Sequence, residues 1–142
     1  MKYIFLDIDG VLNAPGDKNL IEGIIEPNKY NLLKSLISKT NSKVVIISSR
    51  RLYKEDRDLV LKALDDIYDD ISFISNKLTS KYRKDEINQF LIKNPCLNYV
   101  ILDDIDCGYS DDNLMVKHYI PIDGILGFTV EDYMKALKIL EE

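Results

Sequence analysis

The stretch FLDIDGVL at residues 5–12 breaks an apolar run with two carboxylates one residue apart and then a glycine. Residues 3–6 are continuous apolar β-formers, which is typical of a strand that is covered on both faces of a sheet. Asp7 and Asp9 then lie just past the carboxyl end of that strand, where open α/β sheets bind ligands. Gly10 allows the backbone to turn sharply and to approach a ligand closely.

Strand and helix patterns alternate along the rest of the chain. Further strands are predicted at residues 44–47, 71–75, 99–102 and 116–120, and helices are predicted to begin at Pro27, near Glu55, at Arg83 and at Thr129. This alternation predicts an α/β fold, a doubly wound, Rossmann-type parallel sheet of about five strands with helices on both faces. Residues 13–26 are too few for a folded cap domain, and we expect one domain over residues 1–142.

Composition excludes several classes of protein. At 142 residues and 46% hydrophobic content, the chain can bury a substantial core as one domain. No stretch approaches the length of a membrane span, and the net charge of −5 argues against a protein that coats nucleic acid. Cys96 and Cys107 match neither a disulfide framework nor a zinc pattern. We therefore expect a cytoplasmic protein without a membrane partner.

The carboxyl ends of parallel strands lie at one edge of a sheet, so four polar segments are predicted to meet there. They are Asp7 with Asp9, Ser48 with Ser49 and Arg50, the loop before Lys84, and Asp103 with Asp104. Carboxylates this close raise each other's pKa, and a divalent cation with a preference for oxygen ligands, such as Mg²⁺, relieves the repulsion. An EF-hand is excluded, because Lys18 occupies the position that needs a bidentate glutamate.

Two further residue types suit a phosphoryl group at that cation. The Ser48 hydroxyl and the Lys84 ammonium supply donors for phosphate oxygens. Taken alone, Ser48 is more often a helix N-cap and Lys84 more often a surface lysine. Lys84 begins a helix, however, where a lysine is unfavourable for the helix dipole unless an anion lies in front of it.

The order of these segments resembles the four motifs of the haloacid dehalogenase-like (HAD) phosphatase superfamily. They are Asp7-Ile8-Asp9-Gly10-Val11-Leu12, Ser48 after an apolar strand, Lys84, and Asp103-Asp104. The resemblance spans nearly the whole chain. Within the superfamily, Ser48-Ser49-Arg50 looks like the Ser-x-Arg of the phosphatase domain of phage polynucleotide kinase. The segment 99–106, continuing to 124–132, looks like the small cap-less HAD domains of RNA-repair proteins.

The resemblance implies a phosphomonoesterase that works through an aspartyl-phosphate. Asp7 would be the nucleophile and Asp9 the general acid and base. Ser48, with Ser49 as the alternative, would hold a phosphate oxygen. Lys84 would neutralise the phosphoryl charge.

The same resemblance implies a magnesium site and an open substrate site. Asp104 would bind Mg²⁺ together with Asp7 and the backbone carbonyl of Asp9, and Asp103 would support them. Ser49, Arg50 and Gly10 would contact the substrate. Since capped relatives usually act on small metabolites, the absence of a cap favours a phosphate on a large or extended substrate, such as a nucleic-acid end or a protein. The expected partner is a phosphorylated substrate, with a nucleic-acid end or a nucleotide as the candidates.

A group of cations is predicted to surround this site and to attract anions. The members are Arg50, Arg51, Lys54, Arg57, Lys77, Lys81, Arg83 and Lys84. Tyr82 lies among them and either stacks on a base or packs at the surface.

Two other functional classes remain open from the sequence. A non-catalytic HAD-like domain would keep the fold and bind a phosphorylated partner, although every motif residue is present. A response-regulator receiver is also a parallel α/β fold with an acidic phosphorylation site. Its adjacent acidic pair follows the first strand, whereas Asp103 and Asp104 follow the fourth predicted strand here.

Overall fold

Five parallel strands form the centre of the computed structural model, which describes all residues from Met1 to Glu142. The strand order is β3-β2-β1-β4-β5, and every neighbouring pair is parallel. The strands are β1 (Lys2–Leu6), β2 (Ser42–Ile46), β3 (Ile71–Phe73), β4 (Asn98–Asp103) and β5 (Tyr119–Pro121). The predicted doubly wound, Rossmann-type α/β fold is confirmed. The chain builds outward from β1 to β3 and then crosses to β4, so the order reverses beside β1, where ligands bind in open sheets.

Four α-helices cover the two faces of the sheet: α1 (Pro27–Thr40), α2 (Lys54–Ala63), α3 (Arg83–Lys93) and α4 (Val130–Leu140). Pro27 occupies the first turn of α1, where its missing N–H costs no helical hydrogen bond. Thr129 and Asp132 form a capping box at the start of α4, which satisfies two backbone donors reciprocally. All four predicted helices are present.

The core has two layers of unequal size. On one face, β1 contributes Ile4 and Leu6 to a cluster of 25 buried residues that includes side chains of α1, α2 and α4. On the other face, Phe5 belongs to a cluster of eight buried residues that includes Ile87 of α3. Because side chains alternate across a strand, β1 is buried on both faces, and Asp7 follows it directly into the interior.

The last strand differs from its prediction. Residues 115–118 form a short 3₁₀ turn, and β5 begins only at Tyr119. The carboxylate of Asp112 explains the turn, because it accepts hydrogen bonds from the backbone N–H groups of Leu114 and Met115, both at 2.9 Å. Pro121 is the final residue of β5 at the sheet edge, where its missing donor is tolerated.

A buried ion pair joins the turn after β2 to α3. Arg51 lies in the 3₁₀ turn Ser49–Leu52, and its Nη2 contacts both carboxylate oxygens of Glu86 at 2.8 and 2.9 Å. The side chains of Arg51 and Glu86 are only 1% and 2% exposed. Arg51 also donates to the carbonyl oxygen of Ile47 at 2.7 Å. The expectation that Arg51 is a cation at the rim of the site is therefore wrong, because its charge is neutralised inside the protein.

Substitution Glu86→Gln is expected to destabilise the fold by about 3–5 kcal/mol, because it leaves the Arg51 guanidinium buried without a counter-charge. Urea unfolding followed by circular dichroism measures the effect. The matched control is Asp58→Asn, which breaks the exposed Lys54–Asp58 pair and should cost less than about 1 kcal/mol. Equal losses in the two variants would contradict a structural role for the buried pair.

Candidate active site

A cavity of about 520 Å³ lies at the carboxyl ends of the strands, beside the point where the strand order reverses. Six of the predicted site residues line it: Asp7, Asp9, Gly10, Ser48, Ser49 and Asp104. Three of the four segments that were predicted to meet at this edge of the sheet therefore supply predicted residues to the cavity. Asn13 and Gly124 also line the cavity and were not predicted as site residues. Arg83, which was predicted only as one of the surrounding cations, lines it too.

Three carboxylates form the acidic centre of this cavity. Asp7, Asp103 and Asp104 each offer an oxygen, and these oxygens lie within 4.8 Å of one another. Asp7 is buried directly after β1, and its backbone N–H donates to the carbonyl oxygen of Leu102 at 2.9 Å. Burial, together with repulsion from Asp103, raises the pKa of Asp7 to about 8 against the opposing influence of Arg83. A further cation beside the cluster would favour the ionised carboxylate that a nucleophile requires.

Asp104 has the features of a metal ligand. Its Oδ1 is buried and has no hydrogen-bond partner in the protein. Its Oδ2 occupies the space that a Cβ atom would fill on Gly10, and a Cβ atom on Gly124 would lie 2.9 Å from it. Gly10 has a φ of +82°, which side chains rarely adopt. The Asp104 carboxylate thus has one oxygen without a hydrogen-bond partner and one against two glycines, and it lies beside two other carboxylates. This set of oxygen ligands fits a hard divalent cation such as Mg²⁺.

Asp103 is held by protein donors on both oxygens. Its Oδ2 accepts from Tyr109 Oη at 2.7 Å and from Arg83 Nη1 at 2.9 Å, and its Oδ1 accepts from the backbone N–H of Ile105 at 3.1 Å. The side chain is fully buried. Asp103 is therefore placed to orient Arg83 and to support the cluster, whereas Asp104 keeps a free oxygen.

Asp9 does not join the three carboxylates. It forms a two-pronged ion pair with Arg50, in which Nε donates to Oδ2 at 2.8 Å and Nη2 donates to Oδ1 at 3.0 Å. Asn13 Nδ2 adds a hydrogen bond to Oδ1 at 3.1 Å. The hydrogen bonds from Arg50 hold the pKa of the Asp9 carboxyl below its ordinary value, although partial burial opposes them. The side chain is 57% exposed, so Asp9 is an ionised group at the mouth of the cavity.

The two serines after β2 lie side by side at the cavity. Ser48 is buried, and its Oγ accepts a hydrogen bond from the backbone N–H of Arg50 at 3.2 Å, which caps the 3₁₀ turn. Ser49 is exposed at the same cavity. Each residue can offer a hydroxyl to a phosphate oxygen, so the sequence-based choice of Ser48 over Ser49 stays a prediction.

The cation beside Asp7 is Arg83, not Lys84. Arg83 Nη1 lies 3.6 Å from Asp7 Oδ2, and the residue lines the cavity. Lys84 does not line the cavity, because its aliphatic chain packs against Gly108, where a Cβ atom would lie 2.7 Å from Lys84 Cδ. Neighbouring residues of a helix point about 100° apart, so only one of the two can face Asp7. The predicted placement of Lys84 is thus corrected.

The predicted ring of cations is smaller than expected. Arg51 is buried with Glu86, Arg50 is paired with Asp9, and Lys54 is paired with Asp58. Lys77 and Lys81 remain exposed. The positive charge nearest Asp7 and Asp103 is the Arg83 guanidinium, which its ion pair with Asp103 holds in place.

The comparisons with known proteins identify one family. Residues 3–133 match the model of a family described as the HAD domain in Swiss Army Knife RNA repair proteins. No curated protein and no solved structure matches the chain. No helix has the length and apolar character needed to cross a membrane.

Substitution Gly10→Ala is expected to weaken Mg²⁺ binding at least about tenfold, since the new methyl group overlaps the Asp104 carboxylate and displaces it from short magnesium bond lengths. The control is Gly16→Ala, because Gly16 has a similar φ of +86° but open space around its Cβ position. Isothermal titration calorimetry with MgCl₂ compares the variants. Equal affinities would show that Asp104 is not a ligand.

Proposed function

The chain belongs to the family of HAD domains found in Swiss Army Knife RNA repair proteins, and from this membership we propose that it is a magnesium-dependent phosphomonoesterase. The family supports phosphatase-type chemistry. The single observation that supports the finer proposal is the placement of Asp7. This buried carboxylate follows the central strand, within 4.8 Å of two further carboxylates and 3.6 Å from a guanidinium nitrogen.

Asp7 is the nucleophile in the proposed reaction. Its carboxylate oxygen attacks the phosphorus atom, the bond from phosphorus to the ester oxygen breaks, and an aspartyl-phosphate forms. A water molecule then attacks the phosphorus, which releases inorganic phosphate and restores the carboxylate. Arg83 stabilises the negative charge of the transferring phosphoryl group, because its guanidinium is already fixed beside Asp7 by Asp103.

Asp9 transfers the protons. It gives a proton to the leaving ester oxygen in the first step and takes one from the attacking water in the second. The resting ion pair with Arg50 favours the ionised form and therefore the second role. The first role requires Arg50 to loosen from Asp9, and an incoming phosphate supplies an alternative anion for that guanidinium.

Mg²⁺ fits at Asp7 and Asp104, where it would supply positive charge to the phosphoryl oxygens and hold Asp7 ionised. Ser48 and Ser49 line the same cavity and offer hydroxyl donors to the phosphate oxygens.

The substrate is proposed to be a phosphate on a large or extended molecule, such as a nucleic-acid end. Two observations support this proposal. The segment of residues 13–26 contains only turns and isolated bridges, so no folded cap covers the cavity. The description of the matching family concerns RNA repair.

A second candidate function is phosphate recognition without turnover, and the Asp9–Arg50 pair favours it. A general acid that remains ion-paired cannot protonate the leaving group. Such a domain would bind phosphorylated ends and release them unchanged.

Substitution Asp7→Asn is expected to lower kcat for p-nitrophenyl phosphate by more than about 10³-fold, because a carboxamide is not a competent nucleophile. A steady-state assay with MgCl₂ measures kcat, and circular dichroism checks the fold. Asp69→Asn is the control, since Asp69 is exposed in the turn before β3, at the other edge of the sheet. Near-normal turnover by Asp7→Asn would exclude the covalent route. Phosphate binding by the unmodified protein without turnover would favour the second candidate function.

Substitutions at Arg83 and Lys84 test which of the two cations stabilises the transferring phosphoryl group: Arg83, as the structure indicates, or Lys84, as the sequence predicted. Arg83→Ala should lower kcat about 10²–10³-fold, as loss of a preorganised charge stabiliser does, whereas Lys84→Ala should change kcat less than about threefold. The same phosphatase assay, run at saturating substrate, compares them. A larger loss in Lys84→Ala than in Arg83→Ala would restore the sequence-based assignment.

A further inference from the structure

We propose that a second cavity beside the active site is the subsite for the leaving group, and that Tyr82 selects a substrate whose leaving group has a planar aromatic ring, such as the base of a nucleotide. The inference rests on the proposed phosphatase function and deepens it.

The second cavity has a volume of about 240 Å³ and adjoins the first. Ser49, Arg83 and Ile105 line both cavities. A phosphate held between Ser49 and Arg83 therefore lies at the boundary, and the group attached to its ester oxygen can extend into the second cavity.

The wall of this cavity is apolar and exposed. Tyr82, Leu78 and Ile105 are 48%, 67% and 61% exposed, and Cys107 completes the apolar lining. Large apolar side chains that are grouped together at a surface indicate a binding site. The buried pair of Arg51 and Glu86 also borders the cavity, and because the two charges neutralise each other, this side neither attracts nor repels an ion strongly.

One cation at the cavity has no carboxylate partner. Lys81 lines the cavity, and Lys81 Nζ lies over one face of the Tyr82 ring, 5.4 Å from its centre. The base would therefore stack on the other face. An aromatic face with an adjacent ammonium suits a ligand that is both planar and anionic, because the ring stacks while the cation meets a negative group. A nucleotide with a second phosphate, such as the end of an oligonucleotide, combines these properties. An aliphatic phosphate lacks the ring, and a nucleoside 3′-monophosphate or a phosphotyrosine peptide with neutral flanks has a ring but lacks the second charge.

The position of Tyr82 in the chain links this subsite to the phosphate. Tyr82 is the N-cap of α3, and Arg83 is the first residue of that helix. The backbone carbonyl oxygen of Tyr82 accepts from the N–H of Asp85 at 3.1 Å, which fixes the start of the helix. The ring and the guanidinium are therefore one peptide bond apart on a single rigid element.

The test compares Tyr82→Ala, Tyr82→Phe and the control Tyr68→Ala, in which a tyrosine of similar exposure (55%) is removed near β3. For each variant, kcat/KM is measured with a nucleoside 3′-monophosphate, a 3′-phosphorylated trinucleotide and glycerol phosphate. We expect Tyr82→Ala to lower the ratio of nucleotide to glycerol phosphate kcat/KM by about tenfold, the effect of losing one base stack. Tyr82→Phe keeps a ring and should retain the ratio, as should Tyr68→Ala. A larger loss with the trinucleotide than with the mononucleotide would identify a strand end rather than a free nucleotide.

Other outcomes overturn the inference. An unchanged ratio in Tyr82→Ala, an equal drop with all substrates, or a preference of the unmodified protein for a neutral phosphotyrosine peptide would each exclude the nucleotide subsite. Absence of turnover with every substrate would instead refute the proposed function. In that case, equilibrium dialysis of the mononucleotide decides the subsite: a roughly tenfold weaker Kd in Tyr82→Ala supports it, and an unchanged Kd overturns it.

Discussion

The buried pair of Arg51 and Glu86 is the interaction on which the geometry of the site depends. Arg51 lies in the turn that follows β2 and hydrogen-bonds the carbonyl oxygens of Ile47 and Ser48, so it fixes the backbone that presents the two serines. Glu86 lies on α3, one turn after Arg83, and also accepts a hydrogen bond from the backbone N–H of Thr79 at 3.2 Å. Removing two charges from water is costly, and well-packed apolar residues are often at least as stable in such a place. What the ion pair adds is a defined orientation between two segments that both supply groups to the cavity.

The acidic cluster, unlike the pair of Arg51 and Glu86, is not fully neutralised by groups of the protein. Asp7, Asp103 and Asp104 converge because β1 and β4 are adjacent and parallel, with Leu6 opposite Leu102. Fold geometry thus brings like charges together, and Arg83 with the hydroxyl of Tyr109 offsets only part of the repulsion by holding Asp103. Asp7 and Asp104 keep oxygens that a cation can reach, and Gly10 and Gly124 leave room for the Asp104 carboxylate. A single arrangement of strands therefore explains both why the cluster suits the proposed cation and where that cation would bind.

Most of the fold and much of the site could be predicted from the sequence, because both follow from local patterns. The helix Arg83–Lys93 matches its prediction, and the strand–turn–carboxylate motif located Asp7 without a structure. Two predictions failed because the partner or the orientation of a side chain depends on the tertiary structure, and one failed because of a local hydrogen bond. Arg51 lies among other cations in the sequence and was therefore predicted at the surface. Its partner Glu86 lies 35 residues away, so the sequence did not reveal the buried pair. The choice between Arg83 and Lys84 depends on the rotation of α3 about its axis, which adjacent cations do not reveal. The turn before β5 depends on the Asp112 carboxylate, which competes with strand pairing through local hydrogen bonds.

The two outermost strands, β3 and β5, are each only three residues long. An edge strand exposes unpaired backbone groups that can template association with another chain. Here the unpaired backbone on each side is short, and on one side it ends at Pro121, which has no N–H to donate. The sheet consequently has few unpaired backbone groups at which another chain could add a strand. This lowers the tendency of its hydrophobic strands to aggregate.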